Sequence, residues 1–381
     1  MTIRIHAPDQ IAWRRIGDIP MGWMRDHIDP TELEGHLAFH EAGDDGPQLM
    51  EMRLDPQTLV APHSHDDPEI FYVVEGSLHW GEQVLGAGGS MFIPAGNPYS
   101  FRAGERGARL LNVRSRADHS FVPVEQKAQV LDQFSRQAEG YGRLTGAMAA
   151  VDRSAAFRAQ VGLAPDDVVL DVCCGTGAMA LSLAPHAAQV TGLDLTPAML
   201  EQARGAQDRS GCDNVDWVEG DAFALPFADA SFSLVVCGAA FHHMLDPRPA
   251  LSEMVRVCRV GGRVAVRDVT PAPEKSAAYD SMERMRDPSH VHALTPGEMA
   301  HLGTGLQLDP PMLHASVAAD LPLDAVLATS FPTTCTVGDI RALFRADAEA
   351  GEDKLGFDAR VMDGEVRVSY PQTTAVWVRR A

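Results

Sequence analysis

Asp171-Val-Cys-Cys-Gly175-Thr-Gly177 puts a carboxylate and two glycines where an apolar strand ends and a helix opens. Glycines at such a turn let the backbone fold tightly and approach a bound cofactor. Alone the turn is weak evidence; the acidic residues after it strengthen the reading. Asp194 closes the next strand, where a carboxylate can accept hydrogen bonds from both hydroxyls of a ribose. Asp221, after Glu219-Gly220, closes the third, where it can accept from an exocyclic adenine amine. Carboxylates at successive strand ends outline a nucleoside-shaped crevice. The alternative is that each merely ties down the helix that follows.

Two other constellations could do chemistry. His242-His243 follow the fourth strand, and a histidine there can take a proton near neutral pH. The structural alternative is that the pair hydrogen-bonds across its loop. Near the start, His63-Ser-His65 is followed by Glu69 and, farther on, by Tyr99. Histidines two apart on a strand face the same side, and a carboxylate from the next strand can join them around a metal.

The elements that position these groups differ between the two halves. EIFYVVEG (69–76), SLHWG (77–81), SMFIPAG (90–96) and ARLLNVRS (108–115) read as short strands separated by glycine turns. That grammar predicts an all-β sandwich or barrel over 1–116. A polar connector is expected over 117–127. From 128 to 381, apolar strands alternate with helices. VVLDVCC (168–174), QVTGLDL (189–195), VDWVEGDA (215–222), SFSLVVCGAA (231–240) and GRVAVRDV (262–269) are the strands. The alternation predicts βαβ units and a parallel sheet covered on both faces, an α/β Rossmann-like domain. Segment 271–340 interrupts it and is expected to form a helical cap, with Tyr279, Met282, Met285 and His290 as candidates for its lining.

At 381 residues the chain suits two domains. Its formal net charge of -20, with no concentrated basic patch, disfavours nucleic acid and anionic membrane as partners and favours a small molecule. No apolar run is long enough to span a bilayer, and the first residues do not read as a secretory signal. Scattered cysteines, without a CxxC pair, fit reduced thiols in a cytoplasm.

From about residue 130 onward the sequence resembles the class I S-adenosylmethionine-dependent methyltransferases, nearest the ubiquinone/menaquinone-biosynthesis branch. The resemblance is carried by FSRQAEGY (134–141), VLDVCCGTG (169–177), VTGLDLTPAML (190–200) and EGDAFALPFADASFSLVV (219–236). It continues in AFHHMLDPRPALSEMVRVCRVGGRV (240–264) and RDPSHVHALT (286–295). It implies that Asp171, Gly175 and Gly177 line the methionine part of S-adenosylmethionine, that Asp194 holds the ribose, and that Asp221 with Ala222 frames the adenine. Leu195 and Met199 complete the expected cofactor set. Residues 134–144 are expected to cover the cofactor as a lid through Tyr141, or else to pack as a helix on the domain flank. Two positions depart from the family pattern. Cys173 stands at the first glycine of DxGxGxG, and Ser233 stands where an aspartate is usual, which bears on strand anchoring. The absence of GxGxxG disfavours a nicotinamide dehydrogenase. No Asn/Asp-Pro-Pro-Tyr follows the fourth strand, against amino methylation of nucleic acid. Cys335 stands alone, unlike the several thiolates of an arsenic methyltransferase.

Residues 48–115 resemble the cupin superfamily, which implies His63, His65 and Glu69 as ligands of a divalent metal (Fe, Mn, Ni or Zn), with the Tyr99 phenol as a fourth ligand where the family usually has histidine, or three residues plus water. A metal-free pocket is the alternative. The same resemblance implies a homodimer. Three functions follow: a small-molecule methyltransferase with an assisting cupin domain, a bifunctional enzyme whose cupin runs its own metal-dependent oxygenase, isomerase or lyase step, or a non-catalytic ligand-binding regulator.

Overall fold

Period-two burial and continuous apolar runs separate the two halves in the computed structural model, as the sequence grammar requires. Contacts divide the chain into two units, Met1–Glu125 and Gln126–Ala381. The structure describes residues 11–16, 35–41, 46–65, 67–80, 83–97, 99–116, 122–123, 126–149, 154–333 and 335–381.

The described part of the first unit is one antiparallel nine-stranded sheet. Its strands are β1 (Arg14–Arg15), β2 (Gly35–Glu41), β3 (Gln48–Leu54), β4 (Leu59–Ser64) and β5 (Glu69–Trp80). They continue with β6 (Gln83–Gly86), β7 (Ser90–Ile93), β8 (Tyr99–Arg114) and β9 (Val122–Pro123). The long β8 pairs with β3, β4 and β5. Along β5, Glu69, Phe71 and Val73 are buried while Ile70 and Tyr72 are exposed, so alternation chooses which side chains meet Phe101 and Leu110 in the core. The break expected at Glu75-Gly76 does not end the strand. Gly76 and Gly107 both have positive φ, and a Cβ on Gly76 would lie 2.1 Å from the Gly107 carbonyl oxygen. The glycines permit a bulge and a close backbone approach, so EIFYVVEG and SLHW form one strand. Nor is 117–127 wholly a connector: Val122–Pro123 pairs with His63 and Ser64 of β4, and a helix starts at Gln126.

The second unit holds an eight-stranded sheet. Its strands are β10 (Val168–Val172), β11 (Gln189–Asp194), β12 (Val215–Glu219), β13 (Phe232–Gly238) and β14 (Cys258–Val269). They are followed by β15 (Met312–Pro322), β16 (Arg360–Met362) and β17 (Glu365–Val378). The spatial order is β12-β11-β10-β13-β14-β17-β15, parallel through β14, with β17 antiparallel to both neighbours. Order reverses between β10 and β13, the switch point where open α/β sheets bind ligands. Leu170 and Val172 pack on one face and Val169 on the other, which is why β10 reads as a continuous apolar run.

Helices α1 (Gln126–Ala149), α2 (Ser154–Gln160), α3 (Ala178–Leu183), α4 (Pro197–Ser210) and α5 (Arg248–Val257) flank this sheet sequence. Helices α6 (Ser276–Arg286), α7 (Pro296–His301), α8 (Leu323–Leu327) and α9 (Val337–Ala350) follow. Residues 271–340 are therefore not a purely helical cap, because Met312–Pro322 forms β15 against β17. Met312, Leu313 and Val317 on it are exposed, so this edge strand lacks the alternation that would have marked it in sequence. Ser233, the departure noted above, accepts from the Val168 amide at 2.9 Å and donates to Asp167 at 2.6 Å, tying β13 to the start of β10. No described helix is long and apolar enough to cross a membrane.

Candidate active site

Asp171 lies on β10 and is 1% exposed, beside Gly192 of β11 and Val236 of β13 in register. The turn after it carries positive φ at Cys173, Gly175 and Gly177. Left-handed backbone favours glycine at the last two, and Cys173 adopts it without being one. A Cβ on Gly177 would come within 2.4 Å of the Trp217 ring, whereas one on Gly175 would meet nothing within 4 Å. The turn is thus packed from behind by Trp217 and open at Gly175.

One carboxylate oxygen of Asp171, Oδ2, is buried with no hydrogen-bond partner. Burial pushes this carboxyl up to about 8, with the Asp194 charge adding to it and the Ala180 amide opposing it. An uncompensated buried acceptor of this kind fits a positively charged donor such as an ammonium group. Asp194, last in β11, accepts from the Gly175 amide at 2.7 Å and the Thr196 amide at 2.9 Å. Asp221 follows β12, half-buried, accepting from the Phe223 amide at 3.0 Å and from Lys127 Nζ at 2.9 Å. Asp194 and Asp221 therefore do tie down the chain two residues on, as the alternative reading held, while Asp171 keeps one oxygen without a partner. Ala222 and Met199 are buried, and Leu195 is half-buried. Tyr141 sits in α1, half-buried, and burial raises its phenol. One residue on, a Cβ on Gly142 would be 3.9 Å from Thr176, so α1 runs beside the glycine turn. These residues fit S-adenosylmethionine: an unpartnered carboxylate oxygen for its ammonium, and a turn open at Gly175.

His242 and His243 occupy a 3-10 turn immediately after β13, and both are buried. The structure separates their roles. His242 Nδ1 lies 2.6 Å from Asp268 Oδ1. Asp268 Oδ2 accepts from the amides of Phe241 (2.8 Å) and His242 (3.2 Å), which fixes the carboxylate and through it the ring. Burial alone would depress the His242 imidazole, but the Asp268 charge and hydrogen bond outweigh it and leave it raised. His243 Nδ1 instead lies 3.1 Å from the Ser289 hydroxyl, which donates to Asp287 at 2.6 Å. Burial and the neighbouring His242 push His243 down to about 3, so it stays neutral. Gln126 Nε2 bonds the carbonyls of both His243 (2.7 Å) and Ser289 (2.8 Å), and Gln137 reaches Asp287 at 2.7 Å. Of the pair, His242 is the ring oriented by a carboxylate, and His243 is the one tied across the loop to Ser289.

Tyr279, Met282 and His290 are buried on or just after α6. The His290 ring centroid is 5.5 Å from that of His242, and His290 Nε2 lies 2.8 Å from Asp280 Oδ1. Asp268, Asp287 and Gln137 were not found by sequence reasoning. Asp268 had a legible signal, an acidic residue at the end of the fifth strand like those at the ends of the first three.

In the first unit His63, His65, Glu69 and Tyr99 are all buried, and the His63 ring lies 4.9 Å from His65 and 4.3 Å from Tyr99. They converge, yet among the described residues no group of three or more His, Cys, Asp or Glu is arranged to hold a metal ion. Arg114, 8% exposed, lies among these side chains. Its Nε and Nη2 lie 3.0 and 2.8 Å from Glu69 Oε2, and Nη2 lies 3.0 Å from His65 Nε2. Asn112 Nδ2 donates to the same Glu69 oxygen at 2.7 Å. This arrangement does not fit a metal, because a buried guanidinium already holds Glu69 Oε2 and His65 Nε2 and would place a second positive charge beside it.

Comparison with known proteins agrees with both halves. A family described as a methyltransferase domain matches residues 170–266, and one described as a cupin domain matches 50–114. The demethylmenaquinone methyltransferase of Clavibacter sepedonicus is 31% identical over 192 residues, 49% of this chain and 76% of that protein. The uncharacterized methyltransferase YcgJ of Bacillus subtilis is 34% identical over 142 residues, covering 37% of this chain and 56% of the relative. A crystal structure from Bacillus halodurans C-125, of a protein assigned as a methyltransferase, has 25% identity and a TM-score of 0.54 over 61% of this chain and 100% of that one. Fold and matches define a methyltransferase domain preceded by a cupin domain. The chain belongs to the S-adenosylmethionine-dependent methyltransferase family that includes the Clavibacter protein.

Proposed function

We propose that this protein transfers a methyl group from S-adenosylmethionine to a small molecule, with the donor held along the ends of β10, β11 and β12 and the acceptor beside His242. The observation that carries this is the buried, unpartnered Asp171 oxygen next to a left-handed glycine turn at the sheet's switch point. Asp171 would receive the ammonium, Asp194 the ribose, and Asp221 with Ala222 the adenine edge; Leu195, Met199 and Tyr141 would enclose the nucleoside. When bound, the cofactor supplies an activated methyl on a sulfonium, so positioning and exclusion of water account for much of the rate. His242, oriented by Asp268, takes the proton from an acceptor that must lose one. The burial of His242, His243 and His290 keeps this edge dry.

The name of the Clavibacter relative, a demethylmenaquinone methyltransferase, supports a quinone-type small molecule as acceptor. The first unit then serves by binding a ligand or by pairing two copies; sedimentation of the purified protein measures the pairing. A separate metal-dependent step there has no support from a pocket whose acidic ligand is held by Arg114. Isothermal titration with S-adenosylmethionine tests the main reading. Binding in the micromolar range that Asp171→Asn and Asp194→Ala each weaken at least tenfold is expected. Absence of binding to the unaltered protein would refute it.

A further inference from the structure

The cupin resemblance implies a metal, and the side chains in the pocket argue against one. We infer that Arg114 is the resident cation of the first unit and that this pocket works without a metal ion. Three donors converge on Glu69 Oε2: Asn112 Nδ2 at 2.7 Å, Arg114 Nη2 at 2.8 Å and Arg114 Nε at 3.0 Å. The same Nη2 stands 3.0 Å from His65 Nε2. A divalent ion could reach Glu69 only through the other oxygen, Oε1, and would still have to take His65 Nε2 from a guanidinium that is itself buried at 8% exposure and repels a second cation. An arginine displaced altogether would be a buried charge without its carboxylate, which is strongly unfavourable. Arg114 is the last residue of β8 and pairs in register with Glu69, the first residue of β5, so the backbone sets the two side by side. This is a feature of the ladder rather than of a movable loop.

Two acceptors are left over in the pocket wall: Glu69 Oε1 and Asn112 Oδ1 are buried without hydrogen-bond partners, in residues 1% and 0% exposed. Unpaired buried acceptors call for donors. A hydrogen-bond donor, rather than a second cation, would satisfy them.

The test uses the full-length, tag-free protein. Metal content is read by mass spectrometry as purified, then again after dialysis against Mn2+, Ni2+ or Zn2+ and gel filtration. Below about 0.1 equivalent is expected in each case. Arg114→Met, and in parallel Arg114→Gln in case the first variant loses its cooperative melt, should each free Glu69 and His65 and raise retention toward one equivalent. Adding His65→Ala should abolish that gain. Near one equivalent in the unaltered protein, lost on His63→Ala, overturns the inference. So does a folded Arg114 variant that retains no more metal than its parent.

Discussion

At the scale of single residues, two acidic groups govern the candidate site. Asp171 is pushed up to about 8 by burial, so near pH 7 the ligand-free protein holds a proton there. An arriving ammonium favours the ionised form. Binding S-adenosylmethionine at pH 7 should therefore release close to one proton, read by titration calorimetry in buffers of different ionisation enthalpy; Asp171→Asn should release none. The sign for stability follows from the same shift. The folded carboxyl titrates near 8 and its ordinary value is 3.8, so its contribution is full below about pH 4 and declines as pH rises toward 8. Urea melts of the ligand-free protein should show this decline, and Asp171→Asn should flatten it. Asp268 acts one step back, through His242. Asp268→Asn should leave cofactor affinity within about twofold and reduce kcat by roughly 10² or more, since the imidazole loses its orienting charge. An unchanged kcat would remove His242 as the base.

At the scale of elements, the glycine turn and its backing are the sensitive parts. Gly177→Ala combines a left-handed φ with a clash on Trp217, which is held by Gln207 at 2.7 Å. It should destabilise the fold by about 2 kcal/mol in urea titration and weaken cofactor binding as well. The first three strand-end aspartates and the glycine turn were legible because each is local: apolar run, acidic residue, small residues, helix. Asp268 carries the same strand-end signal, but its link to His242 is hidden because that partner lies 26 positions away and no local pattern joins a strand-end aspartate to a loop histidine. Likewise Gly76 reads as a turn until Gly107 is placed opposite it, and β15 shows no alternation because it is an exposed edge. Arg114 was out of reach for the same reason, since it is 45 residues from Glu69 and outside the spacing that suggests the ligands.

At the scale of the whole molecule, each unit has its own sheet and its own buried core. Independent cores predict two transitions in scanning calorimetry, with S-adenosylmethionine raising only one of them. At a hundredfold excess over Kd the shifted unit should gain about 2.7 kcal/mol. An equal rise in both would mean that the units melt together. The net charge of -20 also predicts no salt-dependent retention on immobilised DNA. The pairing of Val122–Pro123 with β4 has a practical side for anyone wishing to study the halves apart. Scissors placed after residue 116, where composition invites them, would strip the outer neighbour from the strand bearing His63 and leave its backbone ready to recruit other chains. Severing after Glu125 keeps that edge clothed.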